Sequence, residues 1–203
     1  MTAFFTEGQS DPTVQPVPAS VVEQVDAADT TLQNPKRAVI SLGSNLGNRL
    51  ETLQGAIDAL EDTPGVRIKA VSPVYETEPW GVAPDSQPSY FNAVVVLRTT
   101  LPPSSLLERA HAVEEAFHRV REDHWGPRTI DVDIVAYADV VSDDPVLTLP
   151  HPRAHERAFV LAPWHDVEPE AQLPGRGPVA QLLATVTRDS VAPRADLELR
   201  LPE

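Results

Sequence analysis

Two carboxylates and an arginine crowd into the stretch GPRTIDVDIV, Gly126 to Val135. Ile130, Val132 and Ile134 alternate with Asp131 and Asp133, the period-two pattern of a strand with one apolar and one acidic face. Side chains two apart on a strand leave the same face with Cβ atoms roughly 6–7 Å apart. Carboxylates that close repel, and each raises the other's proton affinity unless a cation sits between them. Mg²⁺ is the simplest such cation, because it takes one or two carboxylates together with water and phosphate oxygens. A pair at this spacing suits two ions clamping a polyphosphate. Taken alone, D-x-D reads more simply as the solvated face of an edge strand.

The neighbours favour phosphate chemistry. Arg128 immediately precedes the strand, and RVREDHW supplies Arg119, Arg121 and Trp125 just upstream. Arginine offers a planar fork to phosphate oxygens. Trp125 beside Gly126 suits a loop that closes an aromatic over a ligand. A second cluster, PHPRAHERAF, gathers His151, Arg153, His155 and Arg157. Its prolines disfavour helical metal-ligand spacing, which leaves a phosphate-gripping loop or a basic surface turn. SLGSNLGNR lacks the G-x-x-x-x-G-K-[ST] pattern, so a Walker-type nucleotide site is rejected. Its glycines suit a tight turn and close backbone approach. YETEPWG and QPSYFNA add Tyr75, Trp80, Tyr90, Phe91 and Asn92. An Asn side chain carries the donors and the acceptor that a heteroaromatic ring edge demands. Tyr90 and Phe91 also read as strand aromatics in a core, and for Phe91 that is the preferred reading.

These residues need elements to hold them. RAVISL reads as a short strand, and LETLQGAIDALED places Leu50, Leu53, Ile57 and Leu60 on one helical face. Asn48 and Glu51 are spaced to cap that helix. VRIKAVSPVYETE and YFNAVVVLRTT read as strands. A helix opened by Pro102, Pro103 and Ser104 buries Leu106, Leu107, Ala110, Val113 and Phe117, and TIDVDIVAYAD follows as a strand. The order, strand–helix–strand twice, predicts an α+β ferredoxin-like fold with helices packed on one face of an antiparallel sheet.

The 203 residues suffice for one domain with a real core or two very small ones. Residues 1–35 carry no Lys or Arg and few large apolar side chains, and read as a disordered acidic tail. Residues 36–171 read as the working domain, and 172–203 as a short helix and a loose tail. The absence of cysteine excludes disulfides, zinc–thiolate sites and a catalytic thiol. A net charge of −14 argues against nucleic acid as partner. With no apolar run long enough to span a bilayer and no signal-peptide pattern, a soluble, cytoplasmic protein is expected.

In chain order, SLGSNLGNR, YETEPWG, QPSYFNAVV, WGPRTIDVDI and PHPRAHERAFVL closely resemble the 6-hydroxymethyl-7,8-dihydropterin pyrophosphokinases of folate biosynthesis. The likeness runs from Ala38 to Glu168. It implies a ferredoxin-like monomer that transfers the β,γ-diphosphate of ATP to the hydroxymethyl group of a reduced pterin, releasing AMP. By motif, Asp131 and Asp133 would hold two Mg²⁺ ions, and Arg119, Arg128 and Trp125 would belong to a loop closing over the reactants. Glu114 would lie in the ATP site, with His111 standing where many relatives carry Gln. His151 and Arg157 would contact the triphosphate. Asn92 would read the pterin edge, Thr77 and Trp80 would line that pocket, and Tyr90 and Phe159 would contact the ring. Two other classes use the same residues: a two-metal phosphoesterase acting without pterin, and a ligand-sensing domain that binds without turnover.

Overall fold

The computed structural model describes residues 34–79, 87–117 and 129–202, so nearly all of the acidic tail lies outside the described residues. Strands β1 (Lys36–Ser44), β2 (Val66–Val71), β3 (Tyr75–Thr77), β4 (Tyr90–Thr99) and β5 (Asp131–Tyr137) build an antiparallel sheet. Two small two-stranded sheets follow, β6 (Ser142–Asp143) with β7 (Thr148–Leu149) and β8 (Gln172–Leu173) with β9 (Gly177–Pro178), and β10 (Val191–Pro193) completes the main sheet in the order β10-β3-β4-β1-β5, with β2 also on β4. Helix α1 (Arg49–Glu61) links β1 to β2, and α2 (Pro103–Ala116) links β4 to β5. These are the two strand–helix–strand units of a ferredoxin-like fold.

VRIKAVSPVYETE, read as one strand, is two. Both β2 and β3 pair with β4, but the chain breaks step between them at Ser72–Val74. Pro73 has no N–H for the ladder, and the Ser72 hydroxyl instead accepts from Val94 N–H at 2.8 Å.

The sequence places apolar residues so that α1 and α2 cover one face. Leu53, Ile57 and Leu60 of α1 and Leu106, Ala110 and Val113 of α2 pack on Ala38, Ile40, Leu42, Val95, Leu97, Val132 and Ile134. The Asn48 side chain accepts from Glu51 N–H and caps α1 as its spacing predicts. Prolines at the start of α2 fit positions that need no intrahelical N–H partner.

The expectation that helices lie on one face needs correction. Helices α3 (Ala158–Val167) and α4 (Val179–Thr185) pack on the other face, against Val39, Val94, Val96, Val135 and Ala136. Their signal is weak in sequence. Helix α3 buries Ala158, Val160, Leu161, Ala162, Pro163 and Trp164, so it shows no amphipathic stripe, and it carries a proline.

The loose C-terminal tail also needs correction. The short helix is there as α4, but Val191–Pro193 pairs with β3, Leu197 and Leu199 pack on the first core, and Arg200 N–H donates to Gln54 Oε1 at 2.8 Å. Three edge-strand residues and two leucines were too short a pattern for periodicity to find. Among the described residues no helix is long and apolar enough to cross a membrane.

Candidate active site

Strand alternation puts Ile130, Val132 and Ile134 into the first core and turns Asp131 and Asp133 to the opposite face, as the sequence predicts. Register then decides what stands beside them. Gly43 on β1 pairs with Asp131 on one side and with Asn92 on the other. Ser41 pairs with Asp133 and Val94. Asn92, Gly43 and Asp131 therefore form one row across three strands, and Val94, Ser41 and Asp133 form the next.

Gly43 is a residue that motif reading passed over except as a site of close backbone approach. A Cβ there would stand 3.1 Å from Asn92 Oδ1, 3.8 Å from Tyr90 Cδ1 and 4.0 Å from Asp131 Cβ. A glycine inside an otherwise aliphatic strand was the available signal. Gly47, at φ 64°, supplies the tight turn before α1.

Asn92 is buried, and its Nδ2 donates to Thr77 Oγ1 at 2.8 Å. That bond fixes the amide so that Oδ1 lies over Gly43. Tyr90, half-buried, borders the same row.

The PHPRAHERAF segment comes to the acid pair as a turn and a helix start. Residues Ala154–Glu156 form a short 3-10 turn, and Arg157 stands at the N-terminus of α3. Arg157 Nη1 lies 3.6 Å from Asp133 Oδ2, and His151 Nε2 lies 3.9 Å from the same oxygen. His151 Nδ1 accepts from Arg153 N–H at 3.1 Å, which places the ring proton on Nε2, toward Asp133. Burial and the nearby Arg157 charge push His151 down to about 4, so at neutral pH it is an uncharged N–H donor. Phe159 is half-buried, with its ring 5.5 Å from the Arg157 guanidinium carbon. Arg153 and His155 flank this group, and His155 Nε2 lies 3.4 Å from Glu156.

Glu114 reaches the same strand from α2. It is buried, and its Oε1 accepts from the N–H of Val132, the residue between the two aspartates, at 2.9 Å. This satisfies a donor on the outer edge of β5 and fixes the strand that presents both acids. His111, one turn earlier on α2, is exposed. Arg119, Trp125, Arg128 and Trp80 lie outside the described residues.

Asp131 and Asp133 are half-exposed hard-oxygen donors, and that donor set fits Mg²⁺. No larger cluster of metal-ligating side chains occurs among the described residues. The arrangement has an acid pair, a guanidinium and a neutral imidazole at one end, and an amide acceptor over a glycine at the other. It can hold a charged polyphosphate beside a flat polar ring.

A family model described as 7,8-dihydro-6-hydroxymethylpterin-pyrophosphokinase matches residues 39–169. The chain is 43% identical over 185 residues to the 2-amino-4-hydroxy-6-hydroxymethyldihydropteridine pyrophosphokinase of Mycobacterium tuberculosis, covering 82% of this chain and 95% of that one. It is 42% identical over 149 residues to the same-named protein of Pseudomonas aeruginosa, covering 73% and 91%. Among solved structures, the Plasmodium falciparum wild-type HPPK-DHPS with pteroate superposes at a TM-score of 0.60 and 15% identity, over 74% of this chain and 44% of that longer one. At that identity the likeness speaks for the fold alone. With the family match and the curated relatives together, the chain belongs to the 7,8-dihydro-6-hydroxymethylpterin-pyrophosphokinase family.

Proposed function

We propose that this protein transfers the β,γ-diphosphate of ATP to the hydroxymethyl group of 6-hydroxymethyl-7,8-dihydropterin, giving AMP and the pterin diphosphate, in folate biosynthesis. The observation that carries the reading at the level of the site is the row Asn92–Gly43–Asp131. It sets a ring-reading amide and a metal-type carboxylate on one face, one strand apart on either side of a glycine. The phosphoesterase and sensing-domain readings find no counterpart among the named relatives.

The family resemblance and the site geometry together support a division of labour. Asn92 Oδ1, its amide held by Thr77, accepts from N–H groups on the pterin edge, while Tyr90 and Phe159 supply aromatic faces for the ring. Arg157 and the Nε2–H of His151 donate to phosphate oxygens, the first as a charge and the second as a neutral donor. Glu114 keeps β5 in register through Val132, with His111 beside it toward the nucleotide. Asp131 and Asp133 would hold magnesium, two ions in this proposal, which when bound neutralises the triphosphate and aligns it for in-line attack. Arg119, Arg128 and Trp125 are assigned to the loop that closes over the reactants. Such a reaction asks for positioning and charge stabilisation rather than a covalent intermediate, and the described residues supply those. We place the enzyme in the cytoplasm as a monomer.

The test is to incubate the protein with Mg-ATP and 6-hydroxymethyl-7,8-dihydropterin and separate the nucleotides over time. AMP should appear one-for-one with a diphosphorylated pterin and only when pterin is present. ADP or free phosphate formed without pterin would overturn the reading in favour of a hydrolase.

A further inference from the structure

The segment after the family match, residues 170–202, lies close to the pterin side of the candidate site. Strand β10 pairs with β3 in the register Val191–Thr77, Ala192–Glu76 and Pro193–Tyr75, and Arg194 N–H donates to Val74 O at 2.8 Å. Strand β3 is only three residues long, and it carries Thr77, the partner of Asn92.

Arg194 then turns to the opposite face of β3 and meets Glu76. Its Nη1 donates to Glu76 Oε2, while its Nε and Nη2 donate to Asp196 at 2.8 and 2.7 Å. Glu76 Oε1 also accepts from Ser89 Oγ at 2.6 Å and from Arg49 Nη1 at 3.2 Å. Arg49 further donates to Ser89 O at 2.8 Å. Both guanidinium groups also approach the Phe91 ring, whose centroid lies 3.6 Å from Arg49 Cζ and 5.4 Å from Arg194 Cζ. The Ser89 hydroxyl, with both arginines, outweighs burial and holds the Glu76 carboxyl below its ordinary value, so it is charged at neutral pH.

One carboxylate thus joins the first residue of α1, the start of β4, strand β3 and the C-terminal strand. The same segments carry Asn92 and Thr77 on their other face. Arg194 grips Asp196 of its own segment with two donors and leaves Nη1 for Glu76 of β3, so one planar guanidinium fixes geometry as well as charge. We propose that Arg194 is a positioning residue for pterin binding: with β10 it holds β3 against β4, so that Thr77 orients the Asn92 amide. This rests on the pterin reading above, since it names what tunes that side of the site. It gives the chain's C-terminal segment a role in substrate affinity that the motifs of the matched region do not contain.

The experiment uses the full chain, with initial rates measured against pterin at saturating Mg-ATP and against Mg-ATP at saturating pterin. Arg194→Ala should raise the pterin KM about tenfold while the ATP KM and kcat stay within about twofold. Arg194→Lys, which keeps the charge but loses the fork, should fall between the two. A pterin KM unchanged in Arg194→Ala overturns the inference, as does an equal rise in both KM values, which would mark a general scaffold. Should Arg194→Ala not fold, Arg194→Lys and Asp196→Asn decide the matter on the same split, with a wild-type pterin KM in both counting against it. Failure of the function reading looks different, because the unmutated chain would then form no AMP.

Discussion

The two faces of the central sheet are built from the same strands by the same alternation, yet they end differently. On the face under α1 and α2 the inward residues of β1, β4 and β5 stay apolar along the strands: Ala38, Ile40 and Leu42; Val95 and Leu97; Val132 and Ile134. On the face under α3 and α4 the registered rows begin the same way, with Val39 between Val96 and Ala136. The next row is Val94, Ser41 and Asp133, and the last is Asn92, Gly43 and Asp131. Within two steps the residues stop serving packing. The change comes where α3 begins, with Arg157 at its N-terminus reaching toward Asp133. A strand face that turns from valine to carboxylate, amide and glycine has been given over to something other than the core.

The sharpest way to break this comparison is to remove the acids. Asp131→Ala and Asp133→Ala should each lower turnover by about 10³-fold, with far-ultraviolet circular dichroism and thermal midpoint close to wild type, because both side chains are half-exposed. Mg-dependent ATP binding should weaken in parallel. Activity within about tenfold of wild type in both variants would remove the metal from this end of the face.

Truncation on the other face should do the reverse. Leu97 is fully buried in the first core, at the end of β4 away from the site. Leu97→Ala should cost about 2–5 kcal/mol of stability, read by urea unfolding, while kcat per folded molecule is retained. Lost kcat at full folding would mean that the two faces are not separable.

A smaller effect is expected at Gly43. The added methyl of Gly43→Ala meets Asn92 Oδ1 at 3.1 Å, tight enough to push the amide aside by a few tenths of an ångström. The pterin KM should rise by about fivefold, with the ATP KM and the thermal midpoint little changed. If the ATP KM rises instead, the glycine serves the acid side of the row.

How much of this was legible beforehand depended on which physical rule wrote each residue. Asp131 and Asp133 were plain because period two forces them onto one face, and α1 and α2 were plain because their apolar stripes repeat every 3.6 residues. The row Asn92–Gly43–Asp131 was not, because Gly43 pairs with residues 49 and 88 positions away, and register at that range leaves no local trace. The bond from the Val132 amide to the Glu114 carboxylate was not legible either, because it is a long-range pairing with no spacing rule. Helices α3 and α4 and strand β10 were missed as covering elements: one is too buried for a stripe, and the others are too short.

The smallest expected effect concerns the far, packed end of the second face, where α3 is pinned by Glu168. Its carboxylate accepts from Trp164 Nε1 at 2.9 Å and from the Arg37 guanidinium, Nε at 2.9 Å. Burial alone would raise its pKa, but the bonds from Arg37 and Trp164 and the Arg37 charge prevail and hold it below the ordinary value of 4.5. A carboxyl depressed in the folded state contributes stability above its unfolded pKa and loses it as pH falls through the folded one. The thermal midpoint should therefore begin to fall below about pH 6.5, where His151, held neutral in the fold, takes a proton in the unfolded chain, and the Glu168 contribution should add to that fall below about 4.5. Glu168→Gln removes the charge but keeps an acceptor for the indole. It should lower the midpoint at neutral pH by about 3–5 °C and make the acid slope shallower, with turnover per folded molecule unchanged. Acid slopes that run parallel in the two proteins would mean that Glu168 does not carry this part of the pH dependence. Glu76, also depressed, would then be the next carboxylate to replace.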